Sequence, residues 1–317
     1  MHRRTFLSTA VLGTAARLSG QTWINTYAPN APGDIVVERA QPGKPHAGKV
    51  LAAIQPHSDD IPIFSAGTVA KLVNEGYTGY LIRMTNDDMA GPGTVGDTVL
   101  ANERDNVEVA RVLGLKQVFD LNYSNHQMDN ESRLEIRARL IFLIRLLKID
   151  TVVCYDPWAP YEENPDHYVT AQSVEAACWM AGGGKDYPEH FAAGLRPHSV
   201  REKYYFARGP QLVNRVVDIT TTIETKVESN VVNIAQGPAG RHGSALRARL
   251  AREGKRLPLL GKDDATADRE YIKQFVLDRD REFGKRFGVE WAEPYHYIGP
   301  PEPAVQKYIE QHARPAR

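Results

Sequence analysis

One imidazole and two neighbouring carboxylates, those of His57, Asp59 and Asp60, come directly after an apolar stretch that covers residues 50–54. Such a short apolar stretch is typical of a buried strand in a parallel sheet. In open α/β sheets, ligands bind beyond the carboxyl ends of the strands, which is where these three side chains fall. Because histidine and aspartate are ligands that zinc accepts, the pattern predicts a metal site at this strand end.

A second strand end supplies a partner for this cluster. The apolar stretch 151–155 is followed by an exit loop that ends in Asp166 and His167. Three potential ligands, His57, Asp60 and His167, would then converge on one ion, and catalytic zinc typically has three protein ligands and one open position. The carboxylate that precedes Asp60 cannot easily reach the same ion, so it is free to take a proton. Spacing alone leaves an alternative open, in which the carboxylates lie on surface loops and the histidine packs in the core.

Short apolar strands alternate with helical patterns along most of the chain. This alternation predicts an α/β fold, namely a mainly parallel, Rossmann-like sheet flanked by helices, in a single domain with C-terminal strand and helix additions. The predicted strands cover residues 50–55, 80–84, 118–121, 151–155, 203–206 and 215–219, and the predicted helices cover 64–73, 97–113, 134–147, 220–234 and 268–286. Residues 237–261 show little periodicity, and we expect a mobile loop or lid there.

The composition narrows the class of protein. The chain has 317 residues, of which 42% are hydrophobic, and this is enough for one large α/β domain. Since 39 basic residues balance 39 acidic ones, nucleic acid is not an expected partner.

Cys154 and Cys178 both lie in apolar contexts, which favours two buried free thiols over a disulfide. No segment approaches the roughly 18 apolar residues of a membrane span, so we expect no integral membrane protein. The oligomeric state is not predicted.

The first residues have the pattern of an export signal. Arg3 and Arg4 precede a short, weakly apolar stretch rich in Ala, Thr and Gly, which is the pattern of a twin-arginine signal over residues 1–22. The alternative is a frayed amphipathic helix. The signal predicts a periplasmic or secreted protein. Residues 23–47 then form an N-terminal arm, 48–299 the main domain and 300–317 a Pro-rich tail.

Two motifs carry a resemblance to a known family. The segment Pro56-His57-Ser58-Asp59-Asp60 resembles the His-Pro-Asp-Asp-Glu signature of the PIG-L-like (LmbE-like) zinc de-N-acetylases, and Asn164-Pro165-Asp166-His167 resembles their later His-Pro-Asp-His signature. Weaker landmarks follow in the family's order at residues 86–88, 113–114, 150–153, 217–219 with Lys226, and 292–295. The resemblance spans about residues 48–299.

The resemblance implies a ligand set and a reaction. His57, Asp60 and His167 would bind zinc, and Asp59 would be the general base. The family's substrates are N-acetylglucosamine units attached to inositol, thiols, lipids or other sugars, so the implied reaction is hydrolysis of the acetamide with release of acetate. Iron or cobalt would also suit this ligand set.

One departure from the family pattern bears on catalysis. Asn164 stands where the family often has a histidine that is proposed to stabilise the oxyanion, and an amide donates a hydrogen bond but cannot deliver a proton. His126, His242 and Tyr161 are candidate substitutes, and each is alternatively an ordinary surface residue. In the first signature, Ser58 and Ile61 replace a proline and a glutamate. A sugar-binding relative with weak or no catalysis is therefore the alternative function.

Four residues are candidates for substrate contacts. Carboxylates suit sugar hydroxyls, and Asp88 and Asp129 follow the second and third strands; the alternative for both is loop capping. Arg104 lies two positions after Asn102, which occupies the usual place of a family arginine. Tyr161 lies in the loop before the second signature. In the same loop, residue 158 is a tryptophan that could stack on a pyranose or plug the loop against the core.

Overall fold

An eight-stranded sheet forms the centre of the protein in this computed structural model, which describes residues 35–300 and 304–315. In chain order the strands are β1 Val36–Glu38, β2 Val50–Gln55, β3 Thr78–Thr85, β4 Val118–Tyr123, β5 Thr151–Tyr155, β6 Glu202–Phe206, β7 Arg215–Asp218 and β8 Ala292–Ile298. Across the sheet they lie in the order β1-β7-β8-β6-β5-β2-β3-β4. Of the described strands, only β8 runs antiparallel to its neighbours, β6 and β7. The predicted α/β class with a mainly parallel sheet in one domain is confirmed.

The described helices follow most of the strands. They are α1 Asp60–Phe64, α2 Ala66–Asn74, α3 Val95–Val112, α4 Arg133–Leu147, α5 Pro165–Ala181, α6 Pro188–Ala192, α7 Ile223–Val232, α8 His242–Arg252, α9 Asp264–Tyr271, α10 Asp278–Arg286 and α11 Ala304–His312. Polar caps set the starts of the longer ones: the hydroxyl of Thr94 accepts from the third amide of α3, and Ser132 does the same for α4.

The strand order reverses beside β2. From β2 the chain continues to β3 and β4 on one side and then returns to β5 on the other, with all of these neighbours parallel. Ligands of α/β proteins bind at such a reversal, beyond the carboxyl ends of the two strands. His57 follows β2, and the loop after β5 leads into α5, so both signature motifs reach this point.

Two predictions about the C-terminal third are wrong. The expected mobile loop at 237–261 contains α8, because its Ala, Leu and Arg residues are strong helix formers and outweigh the glycines around them. Gly243 packs this helix on α9 so closely that a Cβ would lie 2.0 Å from the carbonyl oxygen of Ala267. The single helix expected at 268–286 is interrupted between α9 and α10 by a π-helical turn, Ile272–Val276.

The N-terminal arm extends the sheet at one edge. Of the arm predicted at 23–47, residues 36–38 form β1, which pairs in parallel with β7 at the sheet edge. The predicted export signal, residues 1–22, lies outside the described residues. Among the described residues, no helix is both long and apolar enough to cross a bilayer. Cys154 and Cys178 are buried free thiols, as predicted.

A buried cluster of charged side chains holds the start of α2. Lys226 on α7 is fully buried, and its Nζ lies 2.6 Å from carboxylate oxygens of both Glu293 on β8 and Asp280 on α10. Glu293 also accepts the amides of Gly67 (3.0 Å) and Thr68 (2.8 Å) in the first turn of α2. A carboxylate at a helix start satisfies otherwise unpaired N–H groups and the helix dipole. The cluster therefore ties α7, α10 and β8 to the start of α2.

Candidate metal centre

The side chains of His57, Asp60 and His167 are buried and lie together beyond the ends of β2 and β5. His57 Nδ1 is 3.1 Å from His167 Nε2 and 3.5 Å from Asp60 Oδ2, and His167 Nε2 is 3.7 Å from Asp60 Oδ1. Ligand atoms bonded tetrahedrally to zinc at about 2.0–2.1 Å are separated by roughly 3.3–3.4 Å. The observed separations lie on both sides of this value, so the donor set fits a zinc ion.

In both histidines, a carboxylate contacts the ring nitrogen that faces away from the cluster. His57 Nε2 lies 2.9 Å from Asp166 Oδ2, which leaves Nδ1 to face the cluster. His167 Nδ1 lies 3.2 Å from Glu162 Oε1, which leaves Nε2 to face it. Such partners fix the tautomer and the ring orientation of metal-binding histidines. Burial raises the pKa of Glu162, but the bonds from His167 and Arg208 outweigh it and lower the pKa to about 2, so Glu162 is ionised.

Asp60 is held as a carboxylate by its own contacts. The hydroxyl of Tyr155, the last residue of β5, donates to Oδ1 at 2.6 Å, and the backbone amide of His57 donates to Oδ2 at 2.9 Å. Burial raises the pKa of Asp60, but the charge of His167 and the bond from His57 outweigh burial and lower the pKa to about 2. Asp60 therefore offers a negative charge to a metal at any neutral pH.

Asp59 is half-buried beside the cluster and is separate from it. It precedes α1, but its side chain makes no capping bond to that helix. Burial, followed by the charge of Asp60, raises the pKa of Asp59 to about 7. A carboxyl group with a pKa near neutrality suits a general base and acid.

A cavity of about 240 Å³ opens onto these side chains. Its wall is formed by His57, Asp59, Asp60, Ile63, Phe64, Ala90, Asn125, His126, Asn164, His167, Arg208 and Gln236. The wall combines a small apolar part with several hydrogen-bond donors. A wall that is mostly polar suits a ligand with many hydrogen-bonding groups.

Asn164 and His126, both singled out in the sequence, line this cavity. Asn164 caps α5: its Oδ1 accepts the amide of Asp166 at 3.0 Å, and Pro165 occupies the first helical position. Only its amide NH₂ group is then left to act in the cavity. His242 is placed elsewhere, with Nδ1 against the carbonyl oxygen of Ala239.

The four predicted substrate contacts do not line the cavity. Both carboxylate oxygens of Asp88 accept hydrogen bonds from the β4 exit loop, at Ser124 Oγ (2.8 Å) and the amide of Asn125 (2.9 Å). This is the loop-capping alternative. Arg104 is exposed on α3 and donates to a carbonyl of its own helix. Asp129 is exposed in a 3₁₀ turn, and Tyr161 is 89% exposed. Substrate contact by these side chains stays a prediction.

Two departures from the family pattern contact each other. Ser58 Oγ donates to Asn102 Oδ1 at 2.8 Å, and Gln236 Nε2 donates to both Ser58 Oγ (2.6 Å) and Asn102 Oδ1 (3.0 Å). The serine that replaces the signature proline and the asparagine that replaces the arginine thus bind the segment before α8 over the site. Ile61, which replaces the signature glutamate, is fully buried in the core.

Several residues of the site were missed from the sequence. Tyr155, Glu162 and Arg208 contact the ligands or the cavity, and Arg208 pairs with Glu162 at 2.6 Å. Arg208 follows β6, the neighbour of β5, so the rule that strand ends share an edge could have found it. Gln236 and Gly237 have no such signal, because they reach the site from a loop that follows α7.

Gly237 packs directly on Asp59, which gives a test of that contact. At φ +84° an added Cβ would lie 2.7 Å from Asp59 Oδ2. Gly237→Ala should lower the kcat of the acetamide hydrolysis that the family resemblance implies, roughly 10- to 100-fold, because the Asp59 carboxylate must move. The matched control is Gly254→Ala, since Gly254 also has a positive φ (+68°), but an added Cβ there would meet no atom within 4 Å in the described part of the chain apart from its sequence neighbours. Both changes should cost about 1–2 kcal/mol in the free energy of unfolding. Equal kcat in the two variants would refute the contact's importance.

An α/β sheet whose strand ends present two histidines and a carboxylate has the ligand set of a metal-dependent enzyme. A family model described as "PIG-L: GlcNAc-PI de-N-acetylase" matches residues 52–178. The diacetylchitobiose deacetylase of Thermococcus kodakarensis is 30% identical over 195 residues, which is 60% of this chain and 71% of that protein. The chain belongs to the PIG-L family of de-N-acetylases, which hydrolyse amide bonds.

Solved structures show the same fold. The N,N'-diacetylchitobiose deacetylase from Pyrococcus horikoshii, in complex with its inhibitor MPG, matches with a TM-score of 0.63 and 24% identity, over 84% of this chain and 87% of that one. GalB, the 4-carboxy-2-hydroxymuconate hydratase from Pseudomonas putida KT2440, matches with a TM-score of 0.56 and 15% identity, over 80% and 98%. Because a hydratase shares it, the fold alone does not define the reaction.

Proposed function

We propose that this protein is a zinc-dependent N-deacetylase, which hydrolyses the acetamide of an N-acetylated amino sugar or glycoconjugate and releases acetate. The observation that carries the proposal is the donor set of His57, Asp60 and His167 with the half-buried carboxylate of Asp59 beside it. The relative from Thermococcus kodakarensis, named for diacetylchitobiose, supports the substrate class. The cavity is smaller than the roughly 300–1,000 Å³ of pockets that enclose drug-sized ligands, which suits one sugar ring and its acetamide.

The three buried side chains would hold the metal. When bound, zinc supplies a Lewis acid that polarises the amide carbonyl and lowers the pKa of water. The contacts with Asp166 and Glu162 would keep Nδ1 of His57 and Nε2 of His167 available as metal ligands.

Asp59 carries the protons of the reaction. Its carboxylate takes a proton from the attacking water as the water oxygen bonds to the carbonyl carbon. When the C–N bond breaks, the same group returns that proton to the leaving nitrogen, so a free amine and acetic acid are formed, and the acid then loses its proton to solvent to give acetate. The Asn164 NH₂ group and the Arg208 guanidinium lie in the wall as fixed donors, and donors of this kind stabilise negative charge on the carbonyl oxygen.

A sugar-binding relative without efficient catalysis is the second candidate. It is favoured by Asn164, because a neutral amide whose oxygen is already engaged replaces a histidine. The two functions differ in turnover and agree in sugar binding.

Acetate release is the test. Protein loaded with about one zinc per chain is incubated with N,N'-diacetylchitobiose and with a lipid-linked N-acetylglucosamine. The amounts of acetate and of free amine released are then measured. We expect equal amounts of both products, a loss of turnover with a chelator and its return with zinc. Sugar binding by calorimetry without any acetate from either substrate would instead establish the second candidate.

A further inference from the structure

His126 sits on the cavity wall in an uncommon backbone conformation. Its φ is +61°, and its ring is exposed to the cavity. The centroid of the ring is 6.1 Å from that of the His57 ring, in an edge-on arrangement. Non-glycine residues in the left-handed region are uncommon and cost energy, and such residues are concentrated at functional sites. Contacts from the surrounding structure must therefore hold His126 in this conformation.

Two carboxylates hold the loop around His126. Asp166 Oδ2 accepts the amide of His126 at 2.6 Å, and its Oδ1 accepts the amide of Met128 at 3.2 Å. Asp88 accepts the amide of Asn125 at 2.9 Å. Asp166 is the same carboxylate that orients His57. The position of the His126 ring is thus tied directly to the position of a metal ligand.

Two other polar side chains of the wall have protein partners that limit their freedom to move. Arg208 binds both oxygens of Glu162, at 2.6 Å and 3.2 Å. Asn164 uses its oxygen to cap α5. Within the described part of the chain, the ring nitrogens of His126 make no hydrogen bond to another residue. The His126 ring is therefore available to a substrate as a hydrogen-bond donor, in addition to the NH₂ group of Asn164.

We propose that the His126 ring donates a hydrogen bond to the oxygen of the cleaved acetamide as negative charge develops there, and so replaces the histidine absent at position 164. This inference rests on the proposed deacetylase function. It makes His126 a catalytic residue on a different loop from the family's histidine, and it makes Asp88 a positioning residue whose carboxylate holds that loop. The donor needs only one N–H group, so no proton transfer by His126 is required.

The first test compares two substitutions at position 126. His126→Ala should lower kcat for acetate release about 100-fold, with KM changed less than about threefold, because the bond forms only in the transition state. His126→Gln keeps an N–H donor and should recover part of the loss. A phosphonamidate analogue of glucosamine, which carries a tetrahedral oxygen in the same place, should bind His126→Ala about 100-fold more weakly than it binds the wild type. Zinc content and Tm should be unchanged, since the backbone bonds to Asp166 and Asp88 remain.

The second test asks whether His126 does the work of the missing histidine. In the Asn164→His background, His126→Ala should cost less than about threefold in kcat, because the two imidazoles would be redundant. An equal loss in both backgrounds would show independent roles and overturn the substitution. Measuring Tm in parallel separates any loss of the α5 cap from the effect on turnover.

The outcomes separate this inference from the proposed function. If the wild type releases no acetate, the deacetylase function fails and the role of His126 fails with it. If the wild type is active, the inference is overturned by unchanged kcat in His126→Ala, by unchanged binding of the analogue, or by loss of zinc or a lower Tm, which would indicate a structural role.

Discussion

Asp59→Asn should lower kcat for acetate release by about 10²–10⁴-fold and leave the zinc content at about one per chain. The amide keeps the size of the side chain and its contact with Gly237, but it cannot accept a proton from water. The metal should remain because Asp59 is not among the three converging donors. Turnover and zinc per chain are measured on the same preparation.

The matched control for this substitution is Glu163→Gln. Glu163 lies in the loop after β5 with its side chain 89% exposed. The substitution removes the same charge as Asp59→Asn from the same side of the molecule. Its kcat should stay within about twofold of the wild type, since a screened surface charge contributes little. Undiminished turnover in Asp59→Asn would rule out Asp59 as the base.

Asp60→Ala should abolish zinc binding and turnover together. The substitution removes one of three donors and the only negative charge among them, and it leaves the hydroxyl of Tyr155 and the amide of His57 without their acceptor. We expect zinc to fall below about a tenth of the wild-type content after dialysis, because a two-histidine site lacks the third ligand that catalytic zinc sites have.

Tyr155→Phe is the graded comparison for that loss. It keeps the Asp60 carboxylate and removes only the hydrogen bond that orients it, so zinc affinity should fall about 10- to 100-fold and excess zinc should restore turnover. Zinc retained at full content in Asp60→Ala would show that the metal is bound elsewhere.

The parts that could be predicted from the sequence are those that local patterns carry. The apolar stretch before His57 and the one that ends at Tyr155 are strands because both are short and buried, and the polar residues after them had to share one sheet edge. The role of Asp166 as the partner of His57 could not be predicted from its position beside His167. It depends on β2 and β5 being neighbours, which only the strand order shows.

Contacts between distant segments account for most of what was missed. Gln236 bonds to Ser58 across 178 residues, so no local pattern places it over the site. Sugar contact by Asp88 stays a prediction; what the strand pattern did not show is that Asp88 also accepts hydrogen bonds from Ser124 and from the amide of Asn125 in the next loop. The α8 helix was hidden by the glycines on either side of it, which also explains why its packing on α9 was not expected.

Anomalous diffraction at the zinc edge from crystals of the zinc-loaded protein tests the central claim most directly. The account predicts one strong zinc peak bonded to His57 Nδ1, His167 Nε2 and a carboxylate oxygen of Asp60, each at about 2.0–2.2 Å, with Asp59 near the ion and unbonded to it. A peak away from these three atoms, or the absence of a peak from protein that releases acetate, would contradict it.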